Sequence, residues 1–196
     1  MQTMAQMAIY LIKTLGSLYL LIVLLRFLLQ LSRADFYNPI SQGIGKATNP
    51  LLLPLRRLIP GLFGIDLACL VLALIVQWAI LQLILVIAGI GFFNPLMLLL
   101  WSIVGILAML SSIYFWGMIG YIIVSWVAPF SPNPAIVLLR QLIEPVMAPF
   151  RKIIPPLGPI DISPIFLMIA LNLINQFVIP AIAQLLGAPR GLMIGF

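Results

Sequence analysis

NPLLLPLRRLIPGLFGID, residues 49–66, and EPVMAPFRKIIPPLGPID, residues 144–161, are two versions of one segment. At a constant offset of 95, eight of these 18 positions are identical: Pro50/Pro145, Pro54/Pro149, Arg56/Arg151, Ile59/Ile154, Pro60/Pro155, Leu62/Leu157, Ile65/Ile160 and Asp66/Asp161. Most matches fall on Pro, Arg and Asp, so shared leucine content does not produce them. The same offset pairs Asn38-Pro39 with Asn133-Pro134, and Gln77 with Asn172. A chain that repeats itself in this way is built from a duplicated unit, and the rest of the unit is found by reading outward from the two loops.

What flanks the loops is apolar. Of 196 residues, 64% are hydrophobic and 7% charged, with a mean hydropathy of +1.25. Soluble domains run near 45–50% apolar and about 25% charged; this chain has too few charges to cover a water-facing surface. Stretches of about 20 apolar residues are long enough to cross a hydrocarbon core of about 30 Å. Four are present: residues 5–31, interrupted by Lys13 and Arg26; 67–89; 96–126; and 162–186, which carries Asn172, Asn175, Gln176 and Pro180. The first reads as a retained span rather than a cleaved leader, because no basic residue precedes it and no small-residue cleavage site follows before Arg26. The expected fold is an all-α membrane protein with four transmembrane helices in two parallel-oriented repeats, residues 1–95 and 96–196. Each repeat is a span, a basic proline-rich loop (33–66 or 131–161) and a second span.

Lys and Arg set orientation. Segment 33–57 holds Arg33, Lys46, Arg56 and Arg57; segment 140–152 holds Arg140, Arg151 and Lys152; the connection 90–95 holds none. Two spans separate the basic loops, so both lie on one side, expected to be the cytoplasm, with both termini outside. Lys13 and Arg190 oppose this and are outnumbered.

Each loop is expected to lie in the membrane interface. In the second copy residues 135–143 read as a short helix, with Arg140 and Glu144 at i, i+4 spacing. Gly43 and Gly45 weaken the matching stretch of the first copy. Prolines every four to six residues then divide the chain into single turns and extended pieces. Asp66 and Asp161 fall where a helix N-cap belongs, just before an apolar run.

The candidate binding residues are the repeat-matched loop charges Arg56, Arg151, Asp66 and Asp161. Arg56-Arg57 and Arg151-Lys152 read either as a basic collar or as topology determinants that meet anionic headgroups. The Asp pair reads either as caps ion-paired to a loop Arg or as carboxylates at a cation mouth. Arg26 is an intramembrane charge, which marks function by default; snorkelling, or pairing with Asp35, Asp66 or Asp161, is the structural alternative. Gln77 and Asn172 each lie 11 residues beyond their Asp, about 16 Å along a helix. With Ser111 and Ser112 they form either a midplane polar layer or interhelical glue. Trp101 and Trp126 are expected to anchor the two ends of the third span, and Gly105, Gly117 and Gly120 to permit close helix contact.

The chain has no His, four acidic residues and one Cys. That removes His-ligated metals, Cys/His zinc sites, Ser-His-Asp triads and intrachain disulfides. No enzyme, cofactor or metal is expected. The net charge of +6 is dispersed through leucine-rich loops, which argues against nucleic acid.

The run 35–42 (DFYNPISQ), PLRRLIP at 54–60, GID at 64–66 and PFRKIIPPLGPIDISP at 149–164 resemble the YggT family of bacterial membrane proteins, related to the YlmG proteins of chloroplasts and Gram-positive bacteria. The likeness covers essentially the whole chain, with GLFGID of the first copy looser than PLGPID of the second. It implies osmotic-shock tolerance linked to ion uptake in bacteria, assembly of the cytochrome bf complex in chloroplasts and, by gene neighbourhood, a link to cell division. The start of the chain lacks a transit-peptide pattern, which points to a bacterial inner membrane. Two functions follow as expectations. The first is a part in osmotic-stress tolerance and ion homeostasis, as a channel-like homo-oligomer. The alternative is an assembly or scaffold factor, a subunit that docks a larger complex by its paired loops.

Overall fold

The computed structural model describes residues 2–62, 64–153 and 161–188. Residues 154–160, with four of the repeat-matched positions, and Arg190 lie outside the described residues. Every extended element is helical: α1 Gln2–Leu31, α2 Pro39–Leu58, α3 Leu67–Ile87, α4 Pro95–Val127, α5 Pro134–Ile153, α6 Ser163–Leu173, a π turn Ile174–Val178 and α7 Ile179–Leu185. Four segments are long and apolar enough to cross a membrane: 3–31, 67–87, 95–127 and 163–185. They fall within a few residues of the runs read from hydropathy.

Asparagine–proline pairs start three of the helices. Asn38, Asn94 and Asn133 each accept from the backbone N–H two residues on, Ile40, Leu96 and Ala135, at 2.9 Å. The proline that follows is pre-set for the first helical turn and has no N–H to leave unsatisfied.

The loops are not broken turns. Pro50 and Pro54 sit inside α2, and Pro145 and Pro149 inside α5, so each copy is one 20-residue helix where short pieces were expected. A proline inside a helix removes one hydrogen bond and crowds the carbonyl four residues back. Here that spacing is itself four, and all four prolines are exposed. The disturbed carbonyls of each helix therefore lie along one outward stripe, where water or headgroups replace the lost bonds. The inward stripe keeps Thr48 and Leu52 of α2 and Leu138, Leu142, Ile143 and Met147 of α5 buried. Gly43 and Gly45 do not interrupt α2.

Packing follows the duplication. α1 packs along α3 and α4 along α6, while α2 crosses the ends of the first pair and α5 the ends of the second. The α3–α4 contact joins the repeats. One apolar cluster links α1 and α3 with Leu52 and Leu142; a second links α3, α4 and α7; a third links α4, α5 and α6 through Met118, Met147 and Leu171.

Trp126 is exposed at the end of α4, but Trp101 is not a lipid-facing anchor. It is buried, stacks on Phe93 with ring centroids 5.0 Å apart and donates to the Leu186 carbonyl at 3.0 Å. A buried indole needs such an acceptor, and the end of α7 supplies one. The last span passes through a π turn just before Pro180, where Ile179 N–H reaches the Ile174 carbonyl, five residues back.

Small residues set two close approaches. A Cβ on Gly117 would meet Ile143 Cδ1 of α5 at 3.2 Å, and one on Gly16 would meet Ile80 Cδ1 of α3 at 2.5 Å. Gly16→Leu is expected to push α1 off α3 and to destabilise by about 1–3 kcal/mol. A lowered thermal midpoint of the detergent-solubilised protein would show it. An unchanged midpoint would mean that this contact does not hold the helices together.

Candidate functional site

The two basic helices end against the starts of the following spans. In the first copy the Arg56 guanidinium donates to Asp66 Oδ2 from Nε at 3.1 Å and from Nη2 at 2.5 Å, and to Gln30 Oε1 of α1 at 3.1 Å. Asp66 is at the same time the N-cap of α3, its other oxygen accepting from Cys69 N–H at 3.3 Å. In the second copy Arg151 Nε donates to Asp161 Oδ2 at 2.9 Å, Nη1 to Glu144 Oε1 at 2.5 Å and Nη2 to the Tyr121 hydroxyl at 3.0 Å. Asp161 Oδ1 accepts from Ser163 N–H at 2.9 Å, but Asp161 is not the N-cap that was expected: Ile162 stands there, one residue on. The pairs differ in burial: the Asp66 side chain is 4% exposed and that of Asp161 37%.

The pattern has a simple electrostatic basis. Each Arg lies in the last turn of a surface helix, where backbone carbonyls leave a partial negative charge. Each Asp lies at the start of a span, where free N–H groups leave a partial positive one. The ion pair joins two helix ends that each favour the charge they carry. Burial pushes the Asp161 carboxyl up, but hydrogen bonds from Ser163 and from the Arg151 guanidinium outweigh it and hold the group below its ordinary value. Burial alone would lower Arg151; its bonds to Asp161 and Glu144 raise it above the usual arginine range instead.

Contacts also cross between the repeats. Asn38 Nδ2 donates to the Pro134 carbonyl at 2.9 Å, and Asp35 N–H to Gln141 Oε1 at 3.0 Å. Both basic helices therefore sit at one end of the bundle and touch.

Among the described residues Arg26 has no carboxylate partner. Its Nη1 donates to Gly45 O at 3.0 Å, to Asn49 Oδ1 at 2.7 Å and to the Thr48 hydroxyl, all on α2. The expected acids are occupied elsewhere: Asp66 by Arg56, Asp161 by Arg151, and Asp35 by Tyr37 N–H at 2.8 Å. The charge snorkels towards the span end and finds neutral oxygens there. The i, i+4 pair of Arg140 and Glu144 also fails to form. Glu144 turns to Arg151, and Arg140 Nη2 donates to the carbonyls of Ala128 at 3.0 Å and Pro129 at 2.5 Å, capping the end of α4. Those carbonyls lack helical partners, and a cation there also meets the negative end of the helix.

Among the described residues no polar layer spans the middle of the bundle. Gln77 is fully buried between helices with neither amide atom hydrogen-bonded, and the buried Ser111 hydroxyl is likewise unpartnered. Ser112 is half-buried, and Asn172 is exposed on the outer side of the last span together with Gln176. The repeat offset matches Gln77 and Asn172 in sequence, but the two sides of the bundle differ: Gln77 is buried and Asn172 faces out. Among the described residues no three His, Cys, Asp or Glu side chains gather as a metal site.

Gln30, Thr48, Asn49, Tyr121 and Gln141 are the contact residues that sequence reasoning missed. The 95-residue offset carries a signal for one of them, since it aligns Tyr121 with Arg26. The other four are polar residues in apolar surroundings with nothing local to distinguish them.

A family model described as CCB3/YggT matches residues 5–88 and again 100–182. The chain belongs to the CCB3/YggT family. The two matched stretches coincide with the two repeats seen in the helices. Full-length relatives agree. Protein PA0392 of Pseudomonas aeruginosa is 54% identical over 95% of both chains. The YggT protein of Escherichia coli K12 is 35% identical over 94% of both. A protein from the proC 3' region of Vibrio alginolyticus is 38% identical over 85% of this chain and 90% of its own. No solved structure matches. This YggT-family chain is thus a multi-pass membrane protein with bacterial relatives.

The unequal burial of the two ion pairs makes a measurable difference. Double-mutant cycles in detergent (Arg56→Met with Asp66→Asn, and Arg151→Met with Asp161→Asn) are expected to give a coupling of about 1–3 kcal/mol for the buried pair and about 0–1 kcal/mol for the exposed one. Equal couplings would contradict the geometry. For Asp161 the sign with pH is fixed, because its folded pKa lies below the unfolded value. Its contribution is complete above about pH 4 and is lost as pH falls through the folded value. The stability gap between wild type and Asp161→Asn should therefore close on acidification.

Proposed function

We propose that this protein is a non-catalytic, multi-pass protein of the bacterial inner membrane whose paired cytoplasmic helices form a docking platform for a larger membrane complex. One observation carries the reading. α2 and α5 are each tied to the bundle at the same corner, and the two are tied to each other by Asn38–Pro134 and Asp35–Gln141. Elements that are duplicated, pre-ordered and exposed suit recognition, because little ordering entropy remains to be lost on binding. α2 leaves Leu51, Leu53 and Leu58 outward beside Arg57, a mixed apolar and basic surface of the kind protein partners and anionic headgroups both meet.

The second reading is a part in osmotic-stress tolerance and ion homeostasis as a channel-like homo-oligomer. The outward amide of Asn172 favours it, because a polar group left bare at mid-span gains a partner in an assembly. A monomer with so few polar groups between its spans is a poor conduit, and a pore would need several copies.

Tagged protein purified from native membranes in mild detergent, with the mass of the intact particle determined, separates the two. A stoichiometric larger partner that is lost on Leu53→Glu is the expected result. A homo-oligomer with no partner would overturn the docking reading. Liposome flux, wild type against the Asp66→Asn/Asp161→Asn double variant, would then test the pore.

A further inference from the structure

The first repeat holds a cavity that is partly open to its surroundings. It has a volume of about 500 Å³ and lies between the end of α1 and α2. Arg26, Arg33 and Arg56 line it with Gln30 and Ser41, the remaining wall is largely apolar, and no carboxylate is among the lining residues. Asp66 offsets Arg56, which leaves a net charge of +2 facing one space.

The donors are not used up. All three bonds of Arg26 leave from Nη1, so its Nε and Nη2 hydrogens remain available. Arg33 ends the turn after α1 with a left-handed backbone, φ +51°, and its guanidinium makes no hydrogen bond or ion pair among the described residues. The Ser41 hydroxyl is buried and has no hydrogen-bond partner. A buried hydroxyl without a partner is unfavourable by about 1–3 kcal/mol, and a ligand oxygen in the cavity would satisfy it.

The 95-residue offset shows that the second repeat carries different residues at the matching positions. Positions 26, 33, 41 and 45 are Arg, Arg, Ser and Gly in the first copy, and Tyr121, Ala128, Ile136 and Arg140 in the second. There the Arg140 side chain grows from the position of Gly45 and spends its donors on the carbonyls at the end of α4. Topology needs only a number of positive residues on one side; it gives no reason for three guanidiniums to converge around a space with an unsatisfied hydroxyl.

We infer that this cavity is a binding site for a phosphate-bearing anion. Guanidinium forks match phosphate oxygens two at a time, and Ser41 adds a neutral donor. Arg26 lies five residues before the end of α1, about 8 Å along the axis, which sets the site at headgroup depth. Two sources share this chemistry: the phosphodiester of a glycerophospholipid and inorganic phosphate. The inference rests on the cavity alone and stands whether or not α2 and α5 dock a partner.

The full-length protein, delipidated in a non-ionic detergent, is titrated with short-chain phosphatidylglycerol and, separately, with inorganic phosphate. Binding is followed by calorimetry. Three variants accompany it. Arg33→Gln removes a charge that holds no structural contact. Gly45→Leu fills the cavity from a position where an added Cβ meets nothing within 4 Å, and it raises helix propensity, so lost binding cannot be ascribed to unfolding. Lys152→Gln removes the same charge from the other repeat. We expect one lipid per chain, weakened about tenfold or more by Arg33→Gln and by Gly45→Leu, as the loss of a charge-assisted bond implies, and unchanged within about twofold by Lys152→Gln. Saturable binding of both probes with the same variant pattern identifies a general phosphate site; lipid alone identifies a headgroup site. Binding of neither probe overturns the inference, as does equal weakening by Lys152→Gln and Arg33→Gln, which would mean diffuse charge attraction.

Discussion

The joint between a surface helix and the span that follows it is the constraint on which the rest depends. Ten residues separate Arg56 from Asp66, and ten separate Arg151 from Asp161. Within that distance the chain turns from the end of an interfacial helix to the start of a membrane-crossing one. A helix that ends leaves unpaired carbonyls, and a helix that starts leaves unpaired N–H groups. An arginine at the first end and an aspartate at the second, the N-cap of α3 in one copy and an acceptor from Ser163 N–H in the other, meet both needs, and their mutual bond holds the corner. With the corner held, α2 lies over α1 and α3, and α5 over α4 and α6.

Duplication kept that joint and let its surroundings diverge. In the first copy two arginines share the work: Arg56 takes the aspartate, and Arg26 takes the polar turn of α2. In the second copy one arginine, Arg151, reaches the aspartate, Glu144 and the hydroxyl of Tyr121, the residue aligned with Arg26. In the second corner the arginine is matched by two carboxylates, while the first retains excess positive charge and a space. Two backbones of one design thus present different chemistry at the same membrane face. The divergence also places unmatched polar groups at depth, with Gln77 inside the bundle and its counterpart Asn172 outside it.

Local sequence rules misled where tertiary surroundings supplied what the rule assumed was missing. Four prolines read as breaks because a lost helical bond is costly in isolation. Spaced by four on an exposed face, they direct that loss towards a region that can hydrogen-bond, and the helices continue. Arg140 and Glu144 read as a pair by spacing, yet other partners stood nearby: the carbonyls of Ala128 and Pro129 at the end of α4 for one, and Arg151 for the other. Trp101 read as an interface anchor by its place near a span end, and is buried because α7 returns beside it.

Taken alone, the sequence determined the class of protein, the number and approximate limits of its spans, the duplication and the identity of the residues at each joint. These follow from summed hydropathy over some twenty residues and from recurrence at a fixed offset, both of which survive any arrangement of the helices. Tertiary structure decided which polar groups meet. Arg26 turned to neutral oxygens on α2 rather than to a carboxylate, and Tyr121 became a partner of Arg151. Three arginines and Ser41 came to face one cavity, and Asn172 faced out. Such contacts depend on the rotation of each helix about its own axis, where about 100° per residue separates an inward side chain from an outward one. Packing against neighbours sets that rotation; in nearly uniform apolar spans, composition leaves it free.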